Sequence, residues 1–205
     1  RQGKSGSGKS TVMDAIQVIL YGSFSPSFLN KAADDAKNRR SVLSYLRGEQ
    51  KDGSANRKDC DFCSVIALEI EDTGTHIITC IGIAFEVRKS DSEIKKFVYF
   101  SHSGKMPESE YLTEQGVCYS NQEIKKLVSA RTKSDDNRGK GEVNRIYGSK
   151  EAYLGTLYDV ILGYIDQNRF ITMEKSAIAL KMTNGTGQFI RDYMFPKNTS
   201  NTIAT

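Results

Sequence analysis

Glycine, lysine and serine supply every residue of one early segment, Gly3-Lys4-Ser5-Gly6-Ser7-Gly8-Lys9-Ser10. The segment fits the pattern G-x-x-x-x-G-K-[ST], in which glycines let successive backbone N–H groups curl into a nest around an anion. Apolar residues then recur at helical spacing, so the nest would lie at a helix N-terminus, where the dipole favours phosphate. The pattern and the helix together predict a P-loop, which binds the triphosphate of ATP with Mg²⁺.

The polar residues at the end of this loop have separate predicted roles. Lys9 would place its ammonium against the β- and γ-phosphates, Ser10 would offer a hydroxyl to Mg²⁺, and Thr11 would bond the α-phosphate. The residues expected to bind nucleotide through the loop are Gly3, Ser5, Gly6, Ser7, Gly8, Lys9, Ser10 and Thr11.

The rest of the chain reads as helices around an antiparallel meander. Alternating residues from Cys63 to Phe100, broken by two short turns, predict about three antiparallel strands. Polar residues 132–141 predict a flexible loop. In the first part of the chain, a helix is predicted over 9–21, ended by Gly22, and one or two more within 27–48. Later helices are predicted from the capping box Ser120–Glu123, from Ser149 to Gly163, over about 165–181, and over 188–195.

A hydrolytic P-loop enzyme also needs an acidic residue that holds Mg²⁺ and positions water. No such residue stands out in this sequence. The best candidates follow residues 65–70, whose alternating polarity is typical of a half-exposed antiparallel strand. Glu71 and Asp72 are therefore interpreted as a strand end and a turn. No stretch resembles the signature Leu-Ser-Gly-Gly-Gln. The chain has the features of half an ATPase.

Composition fits one soluble domain in a reducing compartment. The 205 residues are 38% hydrophobic and 26% charged, enough for one core, and no apolar run reaches the ~20 residues of a membrane span. There is no secretory leader, so we expect a cytoplasmic protein. The formal charge of +4 does not by itself imply nucleic acid. We expect no zinc and four free thiols, Cys60, Cys63, Cys80 and Cys118.

The P-loop and the residues after it, 11–22, resemble the start of SMC-like ATPase heads, where a GKS-x-hh-DAI run is characteristic. Within that group, residues 28–34 and 39–48 are most similar to the JetC family of Wadjet plasmid-defence systems, relatives of the condensin ATPases MukB and MksF. Residues 153–163 and 188–195 also resemble the amino-terminal half of those heads.

The resemblance implies an α/β fold of the P-loop NTPase class: an ABC-type ATPase head lobe with a mixed sheet, an antiparallel meander and a helical part. Residues 1–205 would form the amino-terminal lobe, with 1–60 carrying the P-loop and helices, 61–101 the antiparallel strands and 102–205 mainly helices. A long coiled coil would follow, and the carboxy-terminal half would supply the signature motif and the Walker B acid.

The resemblance also implies partners. Two heads would sandwich two ATP molecules, so the chain would act with its own carboxy-terminal half and a second head. Kleisin-like and winged-helix subunits would assist non-specific DNA binding and loop extrusion, away from any membrane. In a Wadjet system a separate nuclease subunit would cleave plasmid; the alternative role is chromosome condensation.

Further site residues follow from the same resemblance. Such heads have a glutamine that joins Mg²⁺ and senses the γ-phosphate, and Gln188 fits best because it precedes a short predicted helix. Gln167 is the alternative, and a surface glutamine explains either one equally well. Arg39 or Arg40 could contact a nucleotide phosphate, although a solvated basic face is an equal explanation.

Two basic stretches are candidates for sequence-independent contact with DNA phosphates, although solvated surface is the commoner explanation of such runs. Their members are Lys37, Arg39, Arg40, Arg47, Arg57 and Lys58, then Lys125, Lys126, Arg131, Lys133, Arg138 and Lys140.

Two other functions remain open on the sequence: a self-contained P-loop kinase acting on a small acceptor, and a scaffold that binds ATP without hydrolysing it. For the favoured ATPase head, we expect this chain alone to bind Mg·ATP weakly and to hydrolyse almost none.

Overall fold

A computed structural model describes residues 9–24, 41–49, 55, 57–72, 74–135, 143–163 and 177–182, with backbone only for 9–14 and 177–182. In chain order the elements are α1 (Lys9–Tyr21), α2 (Val42–Arg47), β1 (Phe62–Glu71), β2 (Ile78–Val87), β3 (Lys96–Ser103), α3 (Asn121–Asp135), β4 (Arg145–Tyr147), α4 (Lys150–Gly155), a π-helix (Thr156–Ile161) and β5 (Ala177–Met182).

The strands form one sheet in the order β4-β3-β2-β1-β5, and neighbouring strands are antiparallel throughout. The predicted three-strand meander is confirmed as β1, β2 and β3, with Ile66 opposite Ile83 and Ile83 opposite Tyr99. The predicted mixed sheet would also need parallel pairs, and the described strands contain none.

The helix predicted over 165–181 is wrong for its last five residues, because β5 occupies Ala177–Met182. This strand pairs with the edge of β1, from Glu71 opposite Ala177 to Ile66 opposite Met182. The unpaired backbone groups of that edge need partners, and this pairing overrides a local preference for helix. Residues 164–176, and the helix predicted over 188–195, lie outside the described residues.

The prediction that β1 is half-exposed is also wrong, because a hydrophobic core covers each face of the sheet. Ile66, Leu68 and Ile70 belong to the core that includes α1, and Val65 and Ala67 belong to the core beneath α3. Helix α3 contributes Ile124 and Val128 to the second core, whose other buried members are Cys80, Ala84, Phe100, Met106 and Tyr111. The helix runs to Asp135, so the loop predicted from Thr132 begins later than expected.

Several helix boundaries are where the sequence placed them. Gly22, Gly48 and Gly163 have φ of 59°, 68° and 70°, the left-handed conformation that ends a helix. The capping box before α3 is formed in both directions: the Ser120 N–H donates to Glu123 Oε2 at 2.6 Å, and the Glu123 N–H donates to Ser120 Oγ at 3.3 Å. Local capping rules therefore account for where these helices begin and end.

Candidate nucleotide-binding site

The helix expected after the glycines of the P-loop is present and begins at Lys9, the residue that follows Gly8. Its first turn carries no acidic residue, so no carboxylate there neutralises the positive end of the helix dipole. The first backbone N–H groups of a helix have no intrahelical partner and can bind an anion. The side chains of Lys9, Ser10 and Thr11, and all of 3–8, lie outside what the structure describes.

Burial holds α1 firmly against the sheet. Ile16 and Ile19 are 1% and 0% exposed and share a core with Leu68 of β1 and Ile83 of β2. Burying a large aliphatic side chain contributes about 2 kcal/mol, so the helix is a core element. The buried residues of α1 that the structure describes lie between Ala15 and Leu20, so the C-terminal half of the helix is held in the core.

The last turn of α1 is bonded by tyrosines. The Tyr153 hydroxyl donates to the Ile19 carbonyl oxygen at 2.7 Å, and the Tyr158 hydroxyl donates to that of Leu20 at 2.5 Å. Burial raises the pKa of both phenols well above the ordinary value, so both stay protonated donors. Both tyrosines lie within the helix predicted from Ser149 to Gly163 and belong to the core that includes α1, but nothing in the sequence indicated their partners.

A third tyrosine forms a hydrogen bond with Gly22, the residue that ends the helix. The Tyr99 hydroxyl of β3 donates to the Gly22 carbonyl oxygen at 2.5 Å, and burial raises the pKa of Tyr99 to about 12. The ring of Tyr99 also stacks on that of Tyr153, with centroids 4.6 Å apart. The three phenols therefore form one cluster at the C-terminal end of α1.

Glu71 and Asp72 form the strand end and turn that the sequence indicated. Asp72 Oδ1 accepts hydrogen bonds from the N–H groups of Gly74 and Thr75 at 2.8 and 2.9 Å, and these bonds lower the pKa of Asp72. Glu71 Oε1 lies 3.0 Å from Nδ1 of His76. Both carboxylates are thus committed to the β1–β2 turn.

Two of the arginines considered for DNA contact have structural partners instead. The Arg47 guanidinium is buried and its Nη2 donates to the carbonyl oxygens of Arg88, Lys89 and Asp91, at 3.1, 3.2 and 2.8 Å. Arg131 donates to the carbonyl oxygens of Ser103, the last residue of β3, and of Lys105, at 3.0 and 3.3 Å. Basic character in the sequence did not distinguish these arginines from exposed ones.

The other basic candidates differ in their exposure and contacts. Lys58, Lys125, Lys126 and Lys133 are exposed. Arg57 lies over the ring of Phe62, 5.2 Å from its centroid. Gln167 and Gln188 lie outside the described residues. So do the remaining basic candidates, which are Lys37, Arg39, Arg40, Arg138 and Lys140.

The cysteines include the two strand residues that the sequence predicted, Cys63 in β1 and Cys80 in β2. Cys60 is exposed, while burial raises the pKa of the half-buried Cys63 thiol. Among the described residues, no group of three or more His, Cys, Asp or Glu side chains is arranged to hold a metal ion. Within that same part of the chain, no helix has the length and apolar character needed to cross a membrane.

A buried polar cluster that the sequence did not reveal lies beneath α3. His102 Nδ1 is 2.9 Å from the Ser103 carbonyl oxygen, which can only accept, so Nδ1 carries the proton and Nε2 accepts from the Tyr111 hydroxyl at 2.8 Å. Burial lowers the pKa of His102 to about 4, so the ring is neutral. Both side chains are at most 1% exposed, and this burial makes the cluster structural.

Comparison with known proteins bears on the start of the chain. A family model described as the P-loop containing region of AAA domain matches residues 2–36. No curated protein and no solved structure matches the chain. The matched segment includes the loop Gly3–Ser10 and Thr11 but ends before Arg39 and Arg40. The start of this chain is therefore similar to a P-loop, ATPase-like domain, and nucleotide binding is the function that this similarity supports.

Proposed function

We propose that this chain is the ATP-binding half of an SMC-like motor ATPase head. The observation that carries the proposal is the start of α1 at Lys9, directly after Gly8, the last glycine of the predicted P-loop. In a P-loop, a helix that starts at this position directs the amide nest, the helix dipole and the lysine at the triphosphate. The family match over the same residues supports the nucleotide as the ligand.

The residues present fit Mg·ATP. The first amides of any helix lack an intrahelical acceptor, and the first turn of α1 carries no carboxylate to repel phosphate. Lys9 would neutralise the β- and γ-phosphates, Thr11 would bond the α-phosphate, and Ser10 would hold Mg²⁺, with Gln188 as its partner by resemblance. When bound, the metal supplies charge neutralisation for phosphoryl transfer.

A split head is supported by the hydrogen bonds of Glu71 and Asp72, the acidic candidates that the sequence offered. Phosphate hydrolysis needs a carboxylate to position water. Glu71 is paired with His76, and Asp72 is bonded to two amides of its own turn, so neither is free for this role. In the proposed arrangement the chain's own carboxy-terminal half supplies the Walker B acid, and the signature motif of the second head completes the site.

The wider role that we propose is DNA loop extrusion, either in plasmid defence of the Wadjet type or in chromosome condensation. Support comes from the family resemblance and from the exposed cations Lys125 and Lys126 on α3. Contacts of such lysines with phosphates would be independent of sequence and sensitive to salt. Kleisin-like and winged-helix subunits would be the protein partners.

Measuring ATP hydrolysis with and without the carboxy-terminal half tests the proposal. We expect the chain alone to release almost no phosphate, and the recombined halves to hydrolyse ATP with dependence on Lys9. Lys9→Ala in the recombined protein should abolish turnover, and the control Lys126→Ala, on an exposed face of α3, should retain it. Brisk turnover by the isolated chain, lost in Lys9→Ala, would contradict the split head and favour the kinase alternative.

A further inference from the structure

Three hydrogen bonds join the C-terminal end of α1 to three different elements. The donors are hydroxyls of Tyr153 in α4, Tyr158 in the π-helix and Tyr99 in β3. Their acceptors are the carbonyl oxygens of three residues at one helix end, Ile19, Leu20 and Gly22. The last carbonyls of a helix lack the regular intrahelical donor, and these phenols donate to three of the carbonyls at this end of α1.

These hydrogen bonds define the position of α1 more narrowly than apolar packing does. A helix that slips by one residue moves by about 1.5 Å along its axis and turns by about 100°. Apolar contacts are non-directional and tolerate part of such a displacement. Hydrogen bonds require a donor–acceptor separation near 3 Å and good alignment, so three of them on neighbouring carbonyls specify both the axial position and the rotation of α1.

The π-helix explains how two tyrosines of one segment reach the same target. Residues five apart on a regular α-helix point about 140° away from each other. In a π-helix the hydrogen bonds join residues five apart, and the Leu162 N–H donates to the Leu157 carbonyl oxygen at 2.9 Å. The π-helix begins after Tyr153 and contains Tyr158, and both hydroxyls reach α1. Single π-helical turns occur frequently at functional sites.

We propose that Tyr153, Tyr158 and Tyr99 are positioning residues for the nucleotide, acting through α1. The first and last residues of this 13-residue helix are about 18 Å apart, and a buried helix moves as a rigid rod. Fixing its C-terminal carbonyls therefore fixes where the first turn, with Lys9 and Ser10, meets the phosphates. The inference rests on the proposed function and adds residues that the P-loop pattern does not contain.

The chain offers a matched control in Tyr147. This residue is also buried, at 5% exposed, and its ring lies 5.9 Å from that of Tyr153. Its hydroxyl, however, bonds to Ser101 Oγ at 2.6 Å and not to α1. Tyr147→Phe therefore removes a comparable buried hydroxyl from the same cluster and leaves the α1 carbonyls bonded.

The test is the Kd of Mg·ATP in the full-length protein carrying Tyr153→Phe/Tyr158→Phe or Tyr147→Phe, at a temperature where circular dichroism shows both folded. We expect the double variant to lose about tenfold in affinity, because small displacements of a phosphate-binding group are costly, and the control to stay within about twofold. If the double variant does not fold, Tyr158→Phe alone replaces it, with an expected loss of about threefold.

A second readout separates positioning from simple stability. Coupling between two sites is reciprocal, so saturating Mg·ATP should slow hydrogen exchange at the Leu162 amide in the wild type and in Tyr147→Phe, and have less effect in the tyrosine variant. Equal affinity in the tyrosine variant and the control would overturn this inference alone, since wild-type binding would persist. Absence of Mg·ATP binding by the wild type would overturn both this inference and the proposed function.

Discussion

The Tyr153 hydroxyl bonds to the Ile19 carbonyl oxygen at 2.7 Å, joining residues 134 positions apart in the chain. The bond ties the end of α1, the helix that follows the glycine-rich loop, to the start of the segment that becomes the π-helix. Tyr153 is 0% exposed, so water cannot replace the donor if the hydroxyl is removed. The stability of α1 therefore depends on a residue far from the nucleotide motif.

The first prediction follows from that bond. Tyr153→Phe should lower the free energy of unfolding by about 0.5–1.5 kcal/mol, because it removes a buried hydrogen bond to the Ile19 carbonyl oxygen. Urea denaturation measures the change. Tyr119→Phe is the control, since the Tyr119 hydroxyl makes only an exposed contact of 3.4 Å with Ser109 Oγ; equal losses in the two variants would contradict the assignment.

A second prediction concerns pH and His102. Its pKa is lowered to about 4 in the folded chain, while an unfolded histidine titrates near 6.5, so the unfolded state binds more protons between these values. Stability should consequently fall as the pH drops, with this residue contributing a loss of about 2 kcal/mol between pH 7 and pH 5.

Urea unfolding of the wild type and of His102→Gln at pH 7 and pH 5 isolates that contribution. The glutamine variant cannot take up the proton, so its stability should depend less on pH across this range. Carboxylates such as Glu86, whose pKa is lowered by its bonds with Lys96 and the Asn121 N–H despite partial burial, add losses at lower pH in both proteins. An identical pH dependence in the two proteins would rule out a buried neutral His102.

The third prediction tests how closely β1 and β2 approach. A Cβ added at Gly82 would collide with the Ile66 carbonyl oxygen and with Ala67. Gly82→Ala should destabilise the fold by about 1–3 kcal/mol, as overpacking does. Gly148→Ala is the control because open space surrounds that position. Thermal denaturation should separate the two variants, and similar Tm values would contradict the packing described for this strand pair.

A fourth prediction separates structural from exposed cations. Arg47→Ala should destabilise the chain by about 2–3 kcal/mol, since hydrogen bonds from a charged group are lost and the carbonyls of the β2–β3 turn are left without their donor. Lys58→Ala, at an exposed position, should change stability by less than about 0.5 kcal/mol. Comparable denaturation midpoints would contradict the structural role of Arg47.

Sequence periodicity and capping residues predicted the parts of the fold that are set locally. Helix α1 follows from the spacing of Ala15, Ile16 and Ile19, and Gly22 ends it in the left-handed conformation that its missing Cβ permits. The meander followed from alternation and short turns, because such turns leave antiparallel pairing as the only option.

The features that the sequence missed depend on contacts between distant residues. β5 becomes a strand because the edge of β1 is available to it, 106 positions away at the pair Glu71 and Ala177. A tyrosine such as Tyr153 fits a core stripe as well as a phenylalanine would, and only the fold reveals that its hydroxyl meets Ile19. The P-loop itself is recognisable because its chemistry resides in consecutive residues.

Titration of the purified protein with Mg·ATP tests the central claim most directly, using Lys9→Ala and the exposed-lysine control Lys126→Ala. The account predicts saturable binding by the wild type and by Lys126→Ala, and a loss of at least about tenfold in affinity in Lys9→Ala, because an ammonium facing the β- and γ-phosphates is removed. Equal affinity in Lys9→Ala and Lys126→Ala, or no binding by the wild type, would contradict a phosphate site at the start of α1.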